Sequence, residues 1–368
     1  MQTRRIISCA MMLPLLLRIG FAALPAQAAE DVYYPNSDAL WATVDPESLG
    51  WDSGKLNAAL DLAGLRKSSG VVILHRGRIM AERYWDSPDD SRRYQNNVTG
   101  LDSQGRAIED VASAQKSVVA VLTGMAQERG YLSIDEPVAK YVGVGWSKAS
   151  RQQEDAITIR HLLSMNSGLA IDFSYVAMPD SEWLYNTPVY HELMRVLMAA
   201  TGLERQQLTE QWVTMPLGMT NTAWTDRPWA SSDIAVGLST TARDLARFGL
   251  MIQRGGLWAG KVVLQDTVFL DAMLSPSQQL NPAYGYLWWL NGQEFSKATG
   301  AQAKRRNGNL IPSAPGDLVA MQGALDRKLY LVPSLDLVIT RLGSAGAAND
   351  SSFNDSFWTA LQQAAPSP

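Results

Sequence analysis

The sequence predicts an α/β protein of the α+β kind, in which an antiparallel sheet flanked by helices stands beside a mostly helical lobe, with a site in the cleft between them. Three observations predict it. Short runs rich in β-branched and aromatic residues stand near both ends, "VVILHRGRIMAERYW" from Val71 and "DLVAMQGALDRKLYLVPSLDLVITRLG" from Asp317. Between about residues 117 and 230 the apolar residues recur at helical spacing instead. Strands from the two ends can join one antiparallel sheet, which leaves the inserted helices to form a second lobe, and a cleft between lobes is where ligand sites gather.

In chain order, the stretch from Ala29 to about Asp45 is polar and irregular and reads as a lead-in arm. Leu56 to Ser69 has apolar positions three and four apart, a helix. The two strand-like runs that follow meet at Arg76-Gly77, a hairpin signal. Ser87 to Gly105 is polar and reads as a loop. A helix runs from about Ser113 to Gly130, the glycine being the residue type favoured just past a helix end. "ITIRHLLSMNSGL" gives a short helix capped by Thr158 and ending near Ser167-Gly168. "TPVYHELMRVLMAATG" is a helix with Pro188 near its start and Gly202 at its end, and "TTARDLARFGLMIQRGG" is another, capped by Thr240 or Thr241. The closing stretch reads as three short strands broken at "GALD" and "PSLD", followed by a helix over about 354–364.

The first thirty residues place Arg4 and Arg5 before an apolar run from Ile6 to Leu17 and reach "AQA" at Ala26 to Ala28. That order predicts a secretory signal over residues 1–28, with a single catalytic domain over 29–368. Its sheet lobe covers about 50–115 and 232–365, and its helical lobe about 116–231. Arg18 interrupts the apolar run, and "IISC" at Cys9 has too few apolar residues before it for a lipoprotein box. Cleavage would remove the only cysteine, so neither a disulfide nor cysteine chemistry is expected, and the net charge would move from −4 to about −7. At 46% hydrophobic and 18% charged, with basic residues scattered, the chain predicts a globular, periplasmic or secreted protein with no membrane anchor after cleavage and no surface for nucleic acid.

The chemistry concentrates at "SAQK", the one S-x-x-K in the chain. With Ser113 in the first turn of a helix, Lys116 falls on the same face one turn on, within reach of the serine hydroxyl. The residues after it, Val118, Val119, Val121 and Leu122, predict a half-buried amine, and a buried ammonium tends to lose its proton. A neutral lysine is a base that can activate serine, and the free N–H groups of the helix start can hold an oxyanion.

"SAQKSVVAVLTGMAQERGYLSIDEPVAKYV", "ITIRHLLSMNSGL", "PLGMTNTAW", "GLSTTARDLARFGLMIQRGG", "YGYLWW" and "LYLVPSLDLVITRLG", six blocks in order over roughly residues 50 to 360, resemble the serine β-lactamase-related family. That group includes class C β-lactamases, D-alanyl-D-alanine carboxypeptidases, family VIII carboxylesterases and 6-aminohexanoate-oligomer hydrolases. The resemblance implies the β-lactamase/penicillin-binding-protein-like fold and three motifs. Ser113 and Lys116 match the first. Tyr185 in "WLYNTPVY" matches the second, with Thr187 where Asn or Ser is usual; the strict Tyr-x-Asn strings at Tyr34 and Tyr94 precede the serine, in the wrong order. The third, normally a cation, a hydroxyl and Gly, falls on Met321, Gln322 and Gly323. Gly323 would let substrate approach, Ala324 would offer the second oxyanion N–H beside that of Ser113, and Gln322 would face substrate in place of the hydroxyl.

The family's penicillin-binding members hold the substrate carboxylate with that cation and hydroxyl, a charge-assisted pair that Met321 and Gln322 do not provide. The expectation is therefore an exported serine hydrolase cleaving a small-molecule ester or amide through a Ser113 acyl-enzyme, with weak or no β-lactamase activity and with no metal or organic cofactor. Lys116 or Tyr185 is the base. The rival expectations are a non-catalytic penicillin-fold binding or envelope module and a D-amino-acid-specific peptidase. Pocket walls are expected from Asp172 to Asp180 and from Ser296 to Pro315.

His75, His161 and His191 lack metal-ligand spacing and read as structural, and no G-x-S-x-G elbow surrounds a serine. Arg243, Asp244 and Arg247 read as a salt-bridged helix face. Trp288 or Trp289 is expected in the core or lining an acyl pocket, and Asn97 opens a glycosylation sequon. Oligomeric state is not legible.

Overall fold

A computed structural model describes residues 32–36, 40–86, 88–231, 234–300, 303–346 and 352–366. The expected signal segment lies outside them. From the described residues onward the elements are α1 (Ser53–Leu65), β1 (Ser68–His75), β2 (Arg78–Tyr84), β3 (Val98–Leu101), β4 (Ala107–Asp110), α2 (Gln115–Glu128), α3 (Glu192–Thr201), β5 (Ala223–Asp226), β6 (Val236–Thr240), α4 (Ala242–Gln253), β7 (Trp289–Leu290), β8 (Val319–Gly323), β9 (Arg327–Val332), β10 (Leu337–Gly343) and α5 (Phe353–Ala364), joined by shorter pieces.

The strands from the two ends do form one sheet. Its order is β2-β1-β10-β9-β8-β7, antiparallel throughout. The β1–β2 connection is a tight turn in which Arg76 and Gly77 both have positive φ, 47° and 81°, the geometry that matches the twist of the flanking strands. The lead-in arm extends this corner: the Val44 amide donates to the Ile79 carbonyl and the Tyr33 amide to that of Arg76.

Leu329 and Tyr330 are neighbours on β9 and point to opposite faces. On one side α4 presses so close that a Cβ at Gly249 would stand 2.6 Å from a Leu329 methyl. On the other, Tyr330 meets Trp358 of α5 edge to face at 5.5 Å. Helices therefore cover both faces, and α2 lies in the same apolar core, with every residue from Gln115 to Ala126 buried.

The polar stretch over 87–105 is not a plain loop. It holds a short helix (Arg92–Gln95) and β3, which belongs with β4, β6 and β5 to a second antiparallel sheet, order β3-β4-β6-β5. The residues of β3 are partly or fully exposed, so a polar strand costs nothing there and the apolar signal is missing. The helix expected from Thr187 to Gly202 is interrupted at His191, giving a one-turn helix (Thr187–Tyr190) followed by α3, which ends at Gly202 with φ 69°. Thr241 caps α4 by accepting from the Asp244 amide at 3.2 Å. Asp244 and Arg247 do pair, but buried rather than on a solvated face. Among the described residues no helix is long and apolar enough to cross a membrane.

Candidate active site

Ser113 sits in a tight turn (Ala112–Ala114) that runs straight into α2. The turn is strained: Ala112 has φ 49°, a left-handed conformation uncommon for a residue with a Cβ. It is held by Asp110 Oδ1, which accepts from the Ala112 amide at 2.7 Å. The same carboxylate takes a two-point grip from Arg227, Nε to Oδ2 at 2.5 Å and Nη2 to Oδ1 at 2.8 Å, both side chains being buried. A Cβ on Gly237 would stand 2.3 Å from Asp110 and 2.4 Å from Arg227, so this position has room only for glycine.

Lys116 lies one turn along α2 with its Nζ 3.3 Å from Ser113 Oγ, and only 2% of the residue is exposed. The nitrogen stands 4.9 Å from the ring centre of Tyr185 and 4.6 Å from that of Tyr190. Burial, with a further push from the Arg227 guanidinium, lowers its pKa from 10.5 to about 7. Among the described residues no carboxylate is paired with it, and burial and the like charge of Arg227 both favour the neutral amine.

Tyr185 is steered to the site by a box of aromatics. It stacks on Trp289 at 5.8 Å, and Trp183 and Tyr284 meet it at 6.5 and 6.2 Å. Burial pushes its phenol up to about 12, a hydrogen bond with Ser113 offsetting part of the rise. Asn186, next in the chain, turns away from the cleft: its oxygen accepts from the Val189 amide and its nitrogen donates to the Leu169 carbonyl. Thr187 lines the cleft. Trp288, the other tryptophan of the pair, is fully buried against Phe248. The two strict Tyr-x-Asn tyrosines are elsewhere: Tyr94 is buried with its hydroxyl on Glu109, and Tyr34 packs on Trp258.

The end of β8 closes the other side. A Cβ on Gly323 would lie 2.1 Å from the Val111 carbonyl oxygen and 3.3 Å from the Ala114 amide, which shows how tightly this strand abuts the Ser113 turn. Leu325 and Asp326 follow with φ of 61° and 58°, turning the chain so that Ala324 lines the same cleft as Ser113. Gln322 departs from the expectation. It is not among the cleft residues, because its amide oxygen accepts from Lys328 Nζ at 3.0 Å and Asn354 Nδ2 at 3.2 Å. Met321 is wholly buried.

The cleft encloses about 310 Å³ and brings together Ser113, Lys116, Thr187, His191, Arg227 and Ala324. Its remaining walls come from Arg93, Asn96, Asn97, Trp229, Ile234, Leu325 and Arg327, and none of the described residues over 172–180 and 296–315 lines it. Of the histidines, His191 lines the cleft, whereas His161 is tied to the Thr158 amide and to Asp180. Among the described residues no cluster of His, Cys, Asp and Glu could hold a metal ion. Sequence reading missed Arg227, Asp110 and Gln115, whose Oε1 accepts from the Leu238 amide and from Arg227. Gln115 could have been noticed as a polar residue in an otherwise apolar helix face; nothing near Arg227 marks it.

The sequence match to known families now has a geometry beneath it. The β-lactamase family model matches residues 62–350. An uncharacterised protein of Alkalihalophilus pseudofirmus is 23% identical over 313 residues, covering 78% of this chain and 85% of that one. Among solved structures, a candidate β-lactamase of Bacteroides dorei superposes with a TM-score of 0.62 at 18% identity, over 85% of this chain and 98% of that one. A candidate 6-aminohexanoate-dimer hydrolase of Bacillus anthracis gives 0.62 at 17%, over 90% and 88%. With a sheet, a helical insertion and a family match spanning most of its length, the chain belongs to the β-lactamase family, the serine β-lactamase-related group of hydrolases.

Proposed function

We propose that the protein is an exported serine hydrolase that cleaves an ester or amide of a small molecule through an acyl-enzyme on Ser113. The observation that carries this reading is a buried Lys116, with no ion-pair partner among the described residues, whose Nζ stands 3.3 Å from Ser113 Oγ and whose pKa is lowered to about 7. A structural lysine has no need of such a position, since burying an amine without a counter-charge is costly.

The two shifts support a division of roles between Lys116 and Tyr185. At neutral pH a large fraction of Lys116 is free amine, while Tyr185, pushed up to about 12, is a neutral phenol. Lys116 therefore takes the Ser113 proton and the serine oxygen attacks the substrate carbonyl. The oxyanion that forms is held by the Ser113 and Ala324 amides. The phenol of Tyr185 gives its proton to the departing alkoxide or amine and regains one from the Lys116 ammonium. Water then attacks the acyl-Ser113 carbonyl, losing a proton to the same pair, and Ser113 leaves with its hydroxyl restored. The loss of a cation at Met321 supports esters or simple amides over β-lactams.

The test is mass spectrometry after exposure to a small fluorophosphonate, with Ser113→Ala as control, beside turnover of p-nitrophenyl esters and a chromogenic cephalosporin. An adduct on Ser113 with ester turnover and little cephalosporin turnover is expected. Absence of any adduct and of any turnover would instead favour a binding module built on the same fold.

A further inference from the structure

The cleft is lined by Arg93, Lys116, Arg227 and Arg327, and among the described residues no aspartate or glutamate lines it. Two of these charges are answered from behind the wall: Arg227 by Asp110 and Arg327 by Glu109. Lys116, its pKa lowered to about 7, carries only part of a charge near neutral pH. Arg93 is exposed and makes no ion pair or side-chain hydrogen bond among the described residues, so its charge faces the cleft unanswered.

Arg327 adds a second, independent observation. The residue is fully buried; its Nε donates to Glu109 Oε2 at 3.1 Å and its Nη2 lies 3.0 Å from the same oxygen, but among the described residues neither Nη1 nor Nη2 has a hydrogen-bond partner. A buried guanidinium whose two end nitrogens make no hydrogen bond keeps part of its positive charge directed at the cleft from behind its wall. The two arginines are tied together. Tyr94, next to Arg93 on its one-turn helix, donates to Glu109 Oε1, and the Glu109–Arg327 pair thereby anchors the helix that carries Arg93.

We propose that Arg93, on the wall that Arg327 backs, forms a carboxylate subsite of this cleft, so that the substrate of the hydrolase proposed above is an ester or amide that also bears a carboxylate. This inference rests on that reading for the reaction but not for the binding. Guanidinium groups match the two oxygens of a carboxylate in one plane, and a cleft with excess positive charge draws an anion in. The family resemblance places carboxylate recognition on β8, where Met321 and Gln322 offer no cation; here the charge stands on other elements, ahead of the Ser113 turn and just after β8.

Three chromogenic esters test it: p-nitrophenyl valerate, the p-nitrophenyl monoester of glutaric acid, and the valerate ester of a nitrophenol carrying a ring carboxylate. At least one of the two anionic esters is expected to exceed the neutral one in kcat/KM by about tenfold, as a charge-assisted contact provides. That ratio should collapse in Arg93→Gln, reverse in Arg93→Glu, and shrink with added salt. Calorimetry of glutarate against Ser113→Ala reads binding without turnover, and Arg93→Gln in that background should weaken it several-fold. Turnover of valerate with no anionic preference and no glutarate binding overturns the subsite and leaves the hydrolase standing. Glutarate binding that depends on Arg93, with no ester turned over, overturns the hydrolase and keeps the subsite.

Discussion

Replacing Lys116 by Met is expected to abolish activity and to stabilise the fold, in a way that depends on pH. Lys116 binds its proton with a pKa of about 7 in the native state, against an ordinary 10.5 in the unfolded chain. Between those values the unfolded chain holds more protons, so wild-type stability rises with pH across this window. The penalty of burying the amine is fully present below about pH 7 and has faded by about pH 10.5. At about 1.4 kcal/mol for each pH unit of difference, the gap corresponds to roughly 5 kcal/mol at low pH. The Tyr185 and Tyr190 rings, 4.9 and 4.6 Å from Nζ, attract the cation and work against this. A pull of roughly 0.5–2 kcal/mol leaves a net penalty of about 3–5 kcal/mol. Methionine matches the stem of lysine and carries no charge. Urea unfolding of wild type and Lys116→Met at pH 6 and near pH 10 should therefore show the variant more stable by a few kcal/mol at pH 6 and nearly equal at the higher pH. The wild-type rate should rise along a limb centred near pH 7, or up to about 1.5 pH units higher where the two rings act at full strength. A variant that is destabilised at pH 6, or whose difference from wild type does not change with pH, would refute a deprotonating buried lysine.

Tyr185→Phe keeps the ring against Trp289 and removes only the hydroxyl, so stability should hold while kcat falls by about 10²–10⁴, the usual contribution of a positioned proton donor. The loss should be smaller for esters with a p-nitrophenolate leaving group, which needs no proton, than for alkyl esters, and stopped-flow comparison of the two series checks it. Gly323→Ala would place a Cβ 2.1 Å from the Val111 carbonyl oxygen and force β8 away from the Ser113 turn. A displacement of about 1 Å at an oxyanion donor costs on the order of 10² in rate, with fluorophosphonate labelling slowed in parallel.

The fold was legible where burial dictates residue type. β1, β9 and β10 are buried on both faces, so each carries an apolar run (residues 71–74, 329–332 and 337–339), and the Arg76-Gly77 turn shows itself by a glycine that can take φ 81°. β3 was not legible because its residues meet solvent and need not be apolar. β7 escaped for a different reason: two residues, Trp289 and Leu290, leave no periodicity to read. The break at His191 between the one-turn helix and α3 was hidden because apolar spacing continues through it.

At the site, the residues that were legible act through short sequence spacing or backbone alone. Ser113 and Lys116 are one helical turn apart, and Gly323 and Ala324 lie at a strand end. What stayed hidden is charge brought from far along the chain: Arg227 grips Asp110, 117 residues away, and Arg327 grips Glu109, 218 residues away. These adjacent acids on β4 each fix an arginine in the cleft wall, and Asp110 also holds the strained Ala112 turn. One short strand thus sets both the presentation of Ser113 and the electrostatics around Lys116. Counting Met321 and Gln322 as a lost cation measured the charge of a single strand, whereas the field at Ser113 is the sum over every wall of the cleft. The loss on β8 is local, and the positive charge at Arg93 lies on the opposite side of the sequence from where the family pattern directs the eye.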